Sequence, residues 1–186
     1  MAEFFDELND KHSAMIAQQP MFFVATAAAD GRINLSPKGY DVFRVLSPTQ
    51  VAYLDLGGSG NETHAHLTAD GRITIMFCNF GRPAQILRLY GRGRFVLPRD
   101  AEWEGLSSQF KLLPGTRQIF VIDLETVQTS CGYAVPFMTF DKDRDTLDKY
   151  HRKSDPDEWV EKMEGRTTSI DGLPVQPTDR YIAGDE

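Results

Sequence analysis

The sequence predicts a mainly β protein, an antiparallel barrel with peripheral helices, and three observations carry that reading. Strand-like runs occupy the middle of the chain, helical spacing is confined to its beginning and end, and the strands are joined by short turns of the Asp-Gly kind. Short connections favour antiparallel pairing.

The elements follow in order. In residues 4–18, Phe4, Phe5, Leu8, His12, Met15 and Ile16 recur at roughly helical spacing and Pro20 stops the pattern, which predicts an amphipathic helix. Residues 21–27 read as a strand, Asp30-Gly31 supplies a hairpin turn, and residues 32–36 return beside it. Pro37 and Pro48 bracket an expected irregular connection. Residues 51–56 form a strand that runs into Gly57-Gly58-Ser59-Gly60; a short helix then opens at Asn61 or Thr63, and a second apolar strand ends at Cys78. Residues 84–97 make the longest expected strand, with Ile86, Arg88, Tyr90, Arg92 and Arg94 on one face and Leu87, Leu89, Gly91, Gly93 and Phe95 on the other. Its glycines suit a sharp bend in a small closed barrel. Trp103, Leu106 and Phe110 predict a helix within residues 98–113, and residues 118–129 complete the sheet. Two charged helices are expected at 146–153 and 155–164, the second with Pro156 in its first turn. Residues 169–174 read as extended, and nothing in the composition beyond Val175 predicts order. The expected organisation is one domain over residues 1–175 and a C-terminal tail over 176–186.

Composition narrows the function classes. A net charge of −7 and a pI near 5.1 oppose a nucleic-acid partner, while a small anionic ligand needs only a local basic pocket. Two cysteines, Cys78 and Cys131, give neither a disulfide framework nor a zinc site, and suit a reducing cytoplasm. The acidic N-terminus has no basic and apolar leader regions, and no apolar run is long enough to cross a bilayer, so no membrane partner is expected.

No nucleophile elbow, paired zinc spacing or Gly-Lys-Ser phosphate loop is present. His64 and His66, two apart on a helix, point in different directions and make a poor metal pair, so no metal site is expected. The bend at Gly57 to Thr63 has two readings: a phosphate cradle, in which glycines let the backbone approach a ligand and a helix start offers free N–H groups, or a plain loop with Asn61 as N-cap. Asn34, Ser36 and Lys38 share one strand face and offer an amide, a hydroxyl and an ammonium to an anion; a solvated hairpin face explains them equally. Arg88 and Arg92 on the long strand could complete an anion site, or face solvent on the barrel, which is the reading favoured for Arg92 and Arg94. Cys131, Tyr133 and Pro136 form either an apolar wall for a planar ring or a buried turn, and Cys131 has no basic neighbour in sequence to activate it.

Taken together, Ala29-Asp-Gly-Arg-Ile-Asn-Leu-Ser-Pro-Lys-Gly39, Gly60-Asn-Glu-Thr-His-Ala-His-Leu67, Arg72-Ile-Thr-Ile-Met-Phe-Cys78, Ile86-Leu-Arg-Leu-Tyr-Gly-Arg-Gly-Arg94 and Ser130-Cys-Gly-Tyr-Ala-Val-Pro136 resemble the pyridoxamine 5′-phosphate oxidase-like flavoproteins. The resemblance covers about residues 1 to 175. It implies an antiparallel split β-barrel that binds FMN at a homodimer interface, using a small-molecule electron donor and acceptor. It implies that Asn34, Ser36, Lys38, Gly60, Asn61 and Thr63 meet the cofactor's phosphate, that Arg88 borders the flavin, and that Cys131, Tyr133 and Pro136 approach it from the partner subunit. Asn61-Glu62-Thr63 stands where pyridoxamine phosphate oxidases carry Ser-Arg-Lys, and their Arg- and Pro-containing tail has no counterpart. The expected function is therefore an FMN-dependent oxidoreductase of another substrate; the alternatives are a non-catalytic flavin or haem carrier, or a deazaflavin-dependent reductase.

Overall fold

The computed structural model describes residues 2–185. Its strands are β1 (Glu3–Phe5), β2 (Met21–Thr26), β3 (Asn34–Gly39), β4 (Phe43–Ser47), β5 (Gln50–Leu56), β6 (Arg72–Cys78), β7 (Gln85–Val96) and β8 (Thr116–Cys131). The helices are α1 (Asp10–Ala17), α2 (Glu62–Ala69), α3 (Trp103–Ser107), α4 (Thr146–Lys153) and α5 (Pro156–Glu164). Every strand pair is antiparallel, in the order β3-β2-β6-β7-β8-β5-β4, with β1 added to β8. This curled, open sheet is the split barrel that the family resemblance implies, and not the small closed barrel that the glycines of the long strand suggest: among the described residues the β3 and β4 edges stay unpaired with each other.

β8 is the axis of the fold. Its first half pairs with β5, its second half with β1, and its other edge runs along β7 from Gln85↔Cys131 to Val96↔Ile119. Strands that curl around one long partner need a local bend, and the β7–β8 pair supplies it by a register shift between Tyr90 and Gly91, opposite which Glu125 of β8 is the extra residue. Gly91 is required there, because a Cβ would collide with the Asp123 carbonyl. Inside the curl, Phe22, Phe43, Tyr53, Phe77 and Phe120 pack ring on ring at 5.0 to 5.5 Å. Ile75, Leu87, Leu89, Ile119 and Ile122 fill the rest with essentially no exposure. Burying such side chains contributes about 1.5–3 kcal/mol each, which makes this the main stabilising term.

Four expectations need correcting. Residues 3–5 are not helical: they pair with Val127 to Thr129, and α1 starts only after Asn9, whose side chain accepts from the His12 N–H while His12 Nδ1 accepts from the Asn9 N–H. Helical spacing of Phe4 and Phe5 with Leu8 was coincidental, and a free edge of β8 won. β3 passes straight through Pro37, which an edge strand tolerates because its missing N–H would face outwards; the irregular connection shrinks to residues 40–42. β8, with 16 residues, is longer than β7, with 12. Finally, the helix expected in residues 98–113 is reduced to the five residues of α3.

The C-terminal helices lie where expected. Asp155 caps α5 by accepting from the Asp157 and Glu158 N–H groups, with Pro156 at the first helical position. Residues 176–185, expected as a tail, run back over the body. The Gln176 N–H donates to His64 Nε2 at 3.0 Å, the Tyr181 hydroxyl to the His151 carbonyl at 2.6 Å, and the Gly115 N–H to the Ile182 carbonyl at 2.9 Å. Met1 and Glu186, at the ends of the two expected segments, lie outside the described residues. Among those residues no helix is long and apolar enough to cross a membrane.

Candidate functional site

A cavity of about 250 Å³ opens where the end of β5 turns into α2 and faces β3. Its wall brings together Asn34, Ser36, Lys38, Gly60, Asn61 and Thr63, six of the ten residues singled out in the sequence, along with Asp55, Glu62 and Arg117. Alternation along β3 places Asn34, Ser36 and Lys38 on one face, and that face looks into the cavity. Asn34 Nδ2 donates to Ser36 Oγ at 3.4 Å and to Thr63 Oγ1 at 3.3 Å, tying β3 to the start of α2.

The charge centre is Asp55, a carboxylate only 2% exposed. Its Oδ2 accepts from Arg117 Nε at 2.9 Å, Arg117 Nη2 at 2.6 Å and Gln118 Nε2 at 2.8 Å; its Oδ1 accepts from Lys38 Nζ at 3.2 Å. Burial pushes its pKa up, but Arg117, then Lys38 and Gln118, outweigh burial and hold the carboxyl at about 2. Arg117 also donates from Nη1 to the Gly60 carbonyl at 2.9 Å, so a buried guanidinium braces the bend. Two cations against one carboxylate leave this cluster with a net positive charge. Two residues before Asp55 on the same face of β5, the buried Tyr53 hydroxyl lies near Thr63 without hydrogen-bonding geometry; burial and then Asp55 push its pKa well up.

Asn61 stands at the N-cap of α2 but does not cap it. Its Oδ1 accepts from Gln118 Nε2 at 2.8 Å, and among the described residues no side-chain cap is made at the start of α2, which borders the cavity. First-turn N–H groups, at the positive end of a helix, favour an anion. Both sequence readings of the bend thus meet here, and the loop-with-cap reading lacks its cap.

The four histidines are structural. His64 donates from Nδ1 to Gln118 Oε1 at 2.8 Å and stacks on Phe95 at 3.7 Å; His66 Nδ1 meets Thr26 Oγ1 at 3.0 Å. His12 completes the α1 cap, and His151 donates from Nε2 to the Gly57 carbonyl at 3.0 Å. Burial lowers the pKa of His12, His64 and His151, so all three favour the neutral form.

Arg88, Cys131, Tyr133 and Pro136 do not line this cavity. Arg88 donates from Nη1 to Ser130 Oγ at 3.1 Å across the β7–β8 ladder. Cys131, at the end of β8, is exposed, and Tyr133 beyond it is 87% exposed. Asp55, Arg117 and Gln118 are the residues that sequence reasoning missed. A signal existed: a lone carboxylate inside the apolar run of β5 implies a buried cationic partner, and Arg117-Gln118 directly precedes the apolar run Ile119-Phe120-Val121-Ile122.

The model of pyridoxamine 5′-phosphate oxidase matches residues 8–131. A pyridoxamine 5′-phosphate oxidase family protein of Aspergillus flavus, ustO, is 40% identical over 151 residues, which cover 78% of this chain; the chain spans only 61% of the length of that relative. Among solved structures, a candidate pyridoxamine 5′-phosphate oxidase of Lactobacillus delbrueckii superposes with a TM-score of 0.54 at 15% identity, covering 66% of this chain and 94% of its own. HupZ of Group A Streptococcus gives 0.51 at 19% identity, covering 64% and 91%. These two likenesses speak for the fold alone. The matched segment contains every strand from β2 to β8 and the whole cavity wall, and the chain belongs to the pyridoxamine 5′-phosphate oxidase family.

Proposed function

We propose that this chain is an FMN-binding flavoprotein, an oxidoreductase whose substrate is not pyridoxamine phosphate, acting as a homodimer with a small-molecule electron donor and acceptor. The observation that carries the reading is the cavity beside the bend: Lys38 and Arg117 around Asp55, the Ser36 and Thr63 hydroxyls, the Asn34 amide and the uncapped start of α2. That donor set suits a phosphate. Lys38 offers it a charge-assisted hydrogen bond, the hydroxyls and amide fix its orientation, and Asp55 keeps both cations in place without neutralising them together. Arg117 supplies from β8 the buried cation that the bend itself, Asn61-Glu62-Thr63, does not carry.

When bound, FMN supplies the hydride or electron transfer, and the protein supplies position and electrostatics. Supporting a homodimer, Tyr133, Phe137, Met138 and Phe140 are all exposed within eight residues just past the end of β8. In that arrangement Cys131, Tyr133 and Pro136 line the partner's flavin and Arg88 borders it. Two unpaired cysteines support a reducing compartment, the cytoplasm.

Titration with FMN tests the reading. A charge-assisted hydrogen bond to the phosphate is worth about 1.5–3 kcal/mol, so Lys38→Ala weakens FMN about 10- to 100-fold with the fold intact. Unchanged affinity would remove Lys38 from the site, and preference for haem or a deazaflavin over FMN would replace the cofactor.

A further inference from the structure

The last quarter of the chain is built onto the glycine bend. His151 on α4 donates to the Gly57 carbonyl at 3.0 Å, Arg166 just past α5 donates from Nη1 to the Gly58 carbonyl, and the Ile170 N–H is shared by both Glu62 carboxylate oxygens at 3.1 and 3.3 Å. The next residue, Asp171, accepts from the Arg32 N–H at 2.7 Å and from its guanidinium, at the hairpin that opens β3. The Trp159 ring closes on Gly57 so tightly that a Cβ there would come within 2.8 Å of it.

The contacts run in order along the bend, from Gly57 through Gly58 to Glu62. Gly58 and Ser59 line the anion cavity, and they also line a second cavity of about 290 Å³ between the bend and α4–α5. The bend is therefore a wall one backbone thick with space on both sides. Two adjacent glycines give such a wall little stiffness of its own, and α2 cannot stiffen it through an Asn61 cap. All of these strap residues lie beyond residue 131, outside the segment that the family model matches.

Glu62 sharpens the point. A carboxylate in the first turn suits the helix but opposes an anion in the cavity it lines, so electrostatics alone gives no reason for it beside a phosphate. Its contact with Ile170 gives one. We propose that Glu62 and Arg166 are positioning residues: through them the C-terminal strap holds the bend in the shape that presents its N–H groups to the cavity, in place of the basic side chains the bend lacks. For cofactor affinity this rests on the reading of the cavity as a phosphate site.

The test uses the full chain and two readouts, amide hydrogen exchange of residues 57–64 without ligand and FMN titration. Losing one such hydrogen bond corresponds to about a three- to tenfold effect. Arg166→Ala and Glu62→Ala are expected to speed exchange in the bend by about that factor, with β7 and β8 protection unchanged, and to weaken FMN about three- to tenfold. Arg166→Lys restores most of both. Glu62→Gln, which keeps the acceptor and loses the charge, stays within about twofold of the parent protein. Simple charge repulsion predicts the reverse for Glu62→Ala, tighter FMN. Unchanged exchange in both alanine variants, or tighter FMN in Glu62→Ala, overturns the proposal. A parent protein that binds no FMN removes the flavin reading, while the exchange result still decides the strap.

Discussion

Asp55→Asn is the perturbation whose size follows most directly from the structure. The substitution keeps the shape and removes the charge that Arg117, Lys38 and Gln118 converge on. A carboxyl held at about 2 in the folded chain against its ordinary 3.8 stabilises the fold by about 2–3 kcal/mol at neutral pH, at about 1.4 kcal/mol per pH unit. Because the folded value lies below the unfolded one, this stabilisation is complete above the ordinary value and is lost as pH falls towards 2. About half is gone by pH 3. An unpaired Arg117 left in the interior adds to the cost, and breaking a buried pair reaches about 3–5 kcal/mol. At about 2–4 °C per kcal/mol for a chain of this size, Asp55→Asn lowers Tm by about 5–20 °C at pH 7. Urea or thermal unfolding of both proteins from pH 7 to pH 3 measures it. The gap between them narrows as the pH falls. A gap that stays constant across that range, or no gap at pH 7, refutes the assignment of Asp55 as the ionised centre of the cluster.

Three further outcomes follow from the same geometry. Gly115→Ala puts a Cβ at φ +74° into the His151 ring, which costs more than the ~1 kcal/mol of an ordinary glycine replacement and lowers Tm measurably; an unshifted melt would mean that α4 is not seated where it is described. Phe137→Glu places a charge in the exposed apolar run and is expected to convert a dimer into monomers by sedimentation, whereas a protein monomeric from the start contradicts the two-fold site. Cys131→Ser, which keeps the size of this exposed side chain, leaves FMN uptake within about twofold; loss of FMN uptake would make the thiol itself essential to the site.

The sequence was most legible where one physical signal dominates. Alternation across β7, the Asp-Gly turns and the Asp155-Pro156 start of α5 each depend on a few adjacent residues, and each is found where expected. The N-terminal strand was hidden because its existence depends on a free edge of β8 more than a hundred residues away, which no local pattern encodes. The same holds for the site. Asn34, Ser36 and Lys38 could be placed on one face by counting, and the bend by its glycines. Arg117 enters only through the pairing of β8 with β5, where Gln118 stands opposite Asp55. The packing of residues 176–185 was invisible for a related reason: it depends on scattered hydrogen bonds to residues distant in sequence, such as His64, Arg99, Leu112, Gly115 and His151, without an apolar rhythm.

The measurement that bears most directly on the function is the ligand carried by the purified protein. Visible absorbance and mass should identify FMN, released on denaturation at one molecule per chain and taken up again by the refolded protein. A colourless protein that takes up no added FMN would contradict the flavin site at the bend.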